Sequence, residues 1–186
     1  MKPVKTYIAL FRGINVGGKN KLPMKELVAI LQQLGCSEIK TYIQSGNTVF
    51  HSPVEQPANL ENSIAEAIKQ HFGFSPQVLL LSQRDMEAAL AANPFPDACS
   101  EGSTLHMFFL AESASTPNMQ KLAALKKDSE RFALHDRVFY LHAPDGIGRS
   151  KLAANVEKLL GVTVTARNGN TVCKILELVN QLPKHA

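Results

Sequence analysis

Tryptophan is missing from this sequence, and aromatic residues make up only 6% of it. Stacking surfaces for nucleobases are therefore sparse. Cysteine is scarce too: Cys36, Cys99 and Cys173 are odd in number, widely spaced and without a C-x-x-C pair. That excludes a disulfide framework and a cysteine-built zinc site, and points to ordinary thiols in a reducing compartment. His51, His71, His106, His135, His142 and His185 show no H-x-x-x-H or H-E-x-x-H spacing, so no metal site is expected and no cofactor is indicated. No carboxylate pair suggests acid–base work, and Ser45 has no identifiable base, which leaves nucleophilic catalysis unsupported. Nor does any apolar run approach the ~20 residues of a membrane-spanning helix. The apolar stretch Tyr7–Phe11 is broken at once by Arg12, unlike the core of a signal peptide. A cytoplasmic protein with no membrane partner is expected.

Acid is missing from the first 25 residues, which hold six bases: Lys2, Lys5, Arg12, Lys19, Lys21 and Lys25. Residues 26–120 hold three bases and ten acids, and residues 121–186 hold eleven bases and six acids, within a total of +4. Positive charge thus gathers in the two terminal thirds, which favours an anionic partner. With 45% apolar and 19% charged residues, the chain can build a core, as one ordinary domain or two small ones.

The periodicities give an order of elements. Lys5–Phe11 reads as a strand. Pro23 opens a helix in which Met24, Leu27, Val28, Leu31 and Leu34 recur at helical spacing until Gly35. Glu38–Ile43 and Thr48–His51 read as strands joined by the turn Gln44-Ser45-Gly46-Asn47. Leu60, Ile64, Ala67, Ile68 and Phe72 mark a second helix, and Gln77–Leu81 a fourth strand. After a short helix and a Pro94-Phe95-Pro96 connector the order recurs. Thr104–Leu110 is a strand, and a helix runs from Thr116-Pro117, with the threonine as N-cap, to about Lys127. Phe132–Leu134 and Val138–Leu141 form a hairpin. Ser150–Leu160 is a helix, Val162–Ala166 a strand and Thr171–Leu182 a closing helix with Asn170 as its cap. The expectation is an α+β fold of two ferredoxin-like β-α-β-β-α-β subdomains with an additional C-terminal helix. The expected divisions are residues 1–83, a connector at 84–103, and 104–186.

The segment from Arg12 to Lys21, RGINVGGKNK, carries the strongest functional signal. Gly13, Gly17 and Gly18 allow a backbone that approaches a ligand closely. Arg12, Lys19 and Lys21 supply charge, while Asn15 and Asn20 supply amide donors. Gly13, Gly18 and Lys19 match the start of a P-loop, but Asn20 stands where the magnesium-binding Ser or Thr belongs, and the helix opens only at Pro23. An anion cradle is expected rather than a nucleotide-hydrolysing loop. The turn Tyr42–Asn47 adds Gln44, Ser45 and Asn47. In a split βαβ unit it is expected that this turn and the first loop can lie at opposite ends of the sheet. The plainer reading is an ordinary hairpin turn. Arg149, Ser150 and Lys151 open a later helix, with Ser150 as a candidate cap and the bases near its N-terminus. Arg167 and Asn168 precede the last helix in the same way.

The stretches YIALFRGINVGGKNKLPMKEL, TYIQSGNTVF and TARNGNTVCKILEL closely resemble a mostly bacterial family, the domain of unknown function 1697, along essentially the whole chain. The resemblance implies an α+β fold of ferredoxin-like character and supplies no activity. An aromatic residue often follows the Arg-Asn of the family's late motif, and Gly169 stands in that place here.

Three functions follow. The first is a binding protein for a phosphate-bearing small molecule or nucleic acid held by the basic loop. The second is an acylphosphatase-like hydrolase, with Arg12 holding phosphate and Asn47 positioning water, an analogy at the level of fold. The third is a non-catalytic module whose loop contacts a protein partner.

Overall fold

The computed structural model describes residues 4–183, the side chains of 99 and 100 excepted. Its elements run β1 (Lys5–Arg12), α1 (Met24–Gln33), β2 (Ser37–Tyr42), β3 (Asn47–Ser52), α2 (Pro57–Phe72), β4 (Gln77–Leu81) and α3 (Gln83–Ala91). A 3₁₀ turn, Pro96–Glu101, leads to β5 (Leu105–Leu110), α4 (Met119–Leu125), β6 (Arg131–His135), β7 (Val138–His142), α5 (Lys151–Leu160), β8 (Val164–Asn168) and α6 (Gly169–Asn180). The β-α-β-β-α-β order thus occurs twice, followed by an additional helix. Two compact units result, Met1–Glu87 with Lys174–Ala186, and Ala88–Cys173.

In the first unit the sheet order is β2-β3-β1-β4, with β1 antiparallel to both β3 and β4. Every residue of β1 from Tyr7 to Phe11 is buried. Alternation sends Tyr7, Ala9 and Phe11 into one core with Leu27, Ile30 and Leu31 of α1 and Leu60, Ile64 and Ile68 of α2. Each such helix side chain, taken fully from water, contributes about 1.5–3 kcal/mol before entropy is counted. Their i, i+3, i+4 spacing is therefore what docks both helices on one sheet face.

In the second unit the order is β6-β7-β5-β8, and β5 is buried along its whole length. Phe108 and Leu110 pack with Phe139, Leu141, Leu122 of α4 and Val156 and Leu160 of α5. Phe108 meets Phe139 edge to face at 5.8 Å, and Phe132 stacks on Phe139 at 5.5 Å. On the opposite side of β7, the Tyr140 hydroxyl donates to Ala89 O at 2.6 Å, and burial pushes its pKa up to about 12.

Several boundaries differ from expectation, and capping explains them. Asn118, not Thr116, caps α4: its Oδ1 accepts from Lys121 N at 3.0 Å, and its own N–H donates to Leu159 O at 2.8 Å. That tertiary bond fixes where the helix begins. Strand β8 runs on to Asn168, whose Oδ1 accepts from Thr171 N at 2.9 Å. Asn168 is therefore the cap of α6, in place of Asn170.

Candidate functional site

The end of β1 and the start of β3 lie side by side, since Leu10 pairs with Asn47 in antiparallel register. The β1–α1 loop and the β2–β3 turn consequently leave the sheet at the same end, which corrects the expectation of opposite ends. Strand order alone requires it, because β2 runs parallel to β1 across the intervening β3.

Asn15 joins the two loops. Its Nδ2 donates to Gln44 O and to Leu22 O, each at 2.8 Å, and its Oδ1 accepts from Leu22 N at 2.8 Å. The turn is tied in from its other side by Phe11 N, which donates to Gly46 O at 3.1 Å. Gly46 is a close approach of backbone to core: a Cβ there would lie 2.5 Å from Ile14 Cδ1 and 2.7 Å from Phe11 Cβ. Between Asn15 and Asn20 the chain forms a miniature hairpin. Asn15 N donates to Asn20 O and Lys19 N to Val16 O, both at 3.1 Å. Gly17 and Gly18 make its two-residue tip at φ +58° and +75°, the signs a type I′ turn demands. Asn20 Nδ2 closes the base on Gly13 O at 2.8 Å.

The asparagines thus clamp the two loops. Asn47, fully buried, bonds Tyr42 O at 3.2 Å and Ser45 Oγ at 3.0 Å through Nδ2. Arg12, Lys19 and Lys21 are exposed and bring positive charge to this surface. Arg12 Nη1 donates to Gln77 Oε1 at 3.1 Å, which steadies it beside β4. Among the described residues neither Lys19 nor Lys21 makes an ion pair. Helix α1 begins after Pro23 without a side-chain cap, so its first N–H groups add a positive end to the same region.

The other expected residues lie in the second unit, at the end of its sheet where β5 starts. Both β7 and β8 finish there, one on each side of β5. Ser150 Oγ accepts from Ala153 N at 3.0 Å and caps α5, with Arg149 and Lys151 exposed beside it. Arg167 lies in β8 and not in a loop. Its Nη1 donates to Ala166 O at 2.7 Å, and burial pulls its guanidinium down to about 10. Gly169 backs onto Gly102, whose carbonyl oxygen would sit 3.1 Å from an added Cβ.

Two features escaped sequence reasoning. In the second unit Arg131 grips Asp97 through two bonds, of 2.6 and 3.2 Å, bonds His142 Nδ1 at 3.0 Å and covers the Phe95 ring at 4.8 Å. The bond from Arg131 holds the Asp97 carboxyl below its usual range. These residues are too far apart in sequence to form a motif, and no local signal exposes them. In the first unit a cavity of about 550 Å³ is lined by residues including Thr6, His51, Gln83 and Asn180. Its polar groups bond one another, Thr6 Oγ1 with His51 Nδ1 and Gln83 Nε2 with Asn180 Oδ1, each at 3.1 Å. Among the described residues no group of acidic, histidine or cysteine side chains could hold a metal, and no helix is long and apolar enough to cross a membrane.

The family model described as "Protein of unknown function (DUF1697)" matches residues 4–140, a span that includes both joined loops and ends before the late motif. Among solved structures, the conserved bacterial protein SP0830 from Streptococcus pneumoniae is similar at 27% identity. The likeness covers 95% of this chain and 99% of that one, with a TM-score of 0.69. No curated protein matches.

Proposed function

The chain belongs to DUF1697, a family of proteins of unknown function, and from that premise we propose that its joined loops, residues 12–21 and 43–47, bind an anionic ligand bearing phosphate or carboxylate groups. One observation carries the reading. Among the described residues Lys19 and Lys21 have no acidic partner, and they project from a stretch that holds no acid between Met1 and Lys25, on a backbone that Asn15 holds to the neighbouring turn. Cations fixed in this way gain little from the folded chain itself and are available to an anion. A nucleotide or nucleic acid belongs to this ligand class.

The hydrolase reading has less support, because it asks Asn47 to position a water while the Asn47 amide is buried and bound to Tyr42 O and Ser45 Oγ.

The test is a thermal-shift panel of inorganic phosphate, nucleotides, sugar phosphates, short RNA and polyglutamate on the wild type and on Lys19→Gln/Lys21→Gln. At least one anion should stabilise the wild type and lose most of that effect in the variant. Single-stranded RNA held by ~3 phosphate contacts should lose about twentyfold in affinity between 50 and 200 mM salt. Identical shifts in both proteins across the panel refute the proposal.

A further inference from the structure

We infer that the anionic partner of the joined loops is an acidic stretch of polypeptide bearing a large apolar side chain, which seats against Val16 and Ile43 while its carboxylates meet Lys19 and Lys21. The inference rests on the anion-binding reading above and narrows it.

Among the described residues three large apolar side chains are exposed: Val4 at 37%, Val16 at 65% and Ile43 at 53%. Val16 and Ile43 both lie on the joined loops, each one residue away from the bond between Asn15 and Gln44. Scattered apolar residues on a surface need no explanation, but Ile43 also holds φ at +51°. A β-branched residue is strained in that region. Inside a core, burial offsets such a cost. Here more than half of the residue faces solvent, so packing returns little, and the strained backbone serves to aim the side chain.

That aim is fixed. Asn47 ties Tyr42 O to Ser45 Oγ across the turn, Asn15 holds Gln44 O, and Phe11 N holds Gly46 O. A preorganised apolar pair on the loops that carry Lys19 and Lys21 suits an acidic segment with an apolar side chain of its own, because a surface already held in place binds at low entropic cost. A free phosphate makes no use of valine or isoleucine. Residues 12–25 and 42–47 include a single aromatic ring, that of Tyr42, on which a base could stack, so nucleic acid is the poorer match.

The test pans displayed random short peptides against the full-length protein. Binding of an enriched peptide, of polyglutamate and of single-stranded RNA is then measured by fluorescence anisotropy. Enriched sequences should combine Asp or Glu with a large apolar residue. Ile43→Asn and Val16→Ser should each weaken that peptide about tenfold and leave polyglutamate nearly unchanged. Lys19→Gln/Lys21→Gln should weaken both. Asparagine tolerates positive φ, so Ile43→Asn should melt no lower than the wild type, which separates lost recognition from lost folding. The inference is overturned by a library that yields no binders or only binders without an apolar residue. Wild-type affinity in both apolar variants, or RNA bound more tightly than peptide, overturns it equally. If binding shows no dependence on Lys19 and Lys21 at all, the anion-binding reading fails and the inference with it.

Discussion

Asn15→Ala removes the side chain that joins the two loops, and its cost follows from two separable terms. Three hydrogen bonds of 2.8 Å are lost, to Leu22 O, Leu22 N and Gln44 O, each with a net value of about 1 kcal/mol and less where half-exposed. Alanine must also hold φ at +53°, which costs about 1–2 kcal/mol relative to residues that accept the left-handed region. Together these give about 3 kcal/mol. For a chain of this size that corresponds to a fall of roughly 6–12 °C in melting temperature. Asn15→Gly divides the terms: glycine adopts the same φ freely, so it should recover about 1 kcal/mol while still lacking the bonds. Thermal unfolding followed by circular dichroism reads the totals. Amide exchange at Leu22, whose N–H donates to Asn15, reads the local opening. Anion affinity should fall in both variants, because the loops that carry Lys19 and Lys21 lose the bond that joins them. An Asn15→Ala protein that melts with the wild type, with Leu22 exchange unchanged, refutes the view that this amide holds the loops together.

Other expectations follow from the same geometry. Gly46→Ala drives a methyl into Ile14 Cδ1 and Phe11 Cβ at φ +74° and should cost about 3 kcal/mol or more by urea unfolding, with Ile14→Ala relieving only part of it because Phe11 Cβ has no rotamer in which to retreat. Ile43→Asn should raise stability by about 1 kcal/mol through relief of its strain, and a clear loss in urea unfolding contradicts this. Burial lowers the His106 imidazole from its ordinary 6.5, and among the described residues its Nε2 has no hydrogen-bond partner. The unfolded chain therefore binds this proton more readily, so stability should fall as pH drops below about 7 through the unfolded value, and His106→Leu should show a smaller fall in melting temperature between pH 7.5 and pH 5. In a Cys99→Ser background, a thiol reagent should label exposed Cys173 quickly and reach Cys36 only on unfolding, since Cys36 is buried and its thiol pKa is raised.

The fold was legible where local preference and tertiary packing agree. Gln77–Leu81 reads as a strand from its own aliphatic run, and Leu60, Ile64 and Ile68 announce a helix because the face they form is the face the sheet covers. Caps were less legible where two candidates stand close together. Thr116 and Asn118 both suit the start of α4, and the bond from Asn118 N to Leu159 O decides between them. The basic loop was visible as composition, but the work of its asparagines was not. An amide offers the same donors to a ligand and to a carbonyl, and only folding shows that Gln44 O lies within reach of Asn15. Ile43 was invisible for the opposite reason. Its positive φ runs against the local preference of isoleucine, and no reading of propensity predicts what propensity opposes.

The miniature hairpin between Asn15 and Asn20 has a consequence for how this surface can change. Its rungs are its own backbone, from Asn15 N to Asn20 O and from Lys19 N to Val16 O, and its base is pinned by side chains outside the tip. The residues at 16–19 are therefore insulated from the sheet beneath. As long as the tip keeps residues that accept positive φ, sequence there can drift, lengthen or be replaced with little penalty to folding, so new recognition can be written onto an old scaffold. The same insulation makes the junction of Gly17 and Gly18 a natural place to graft a foreign epitope or a reporter tag.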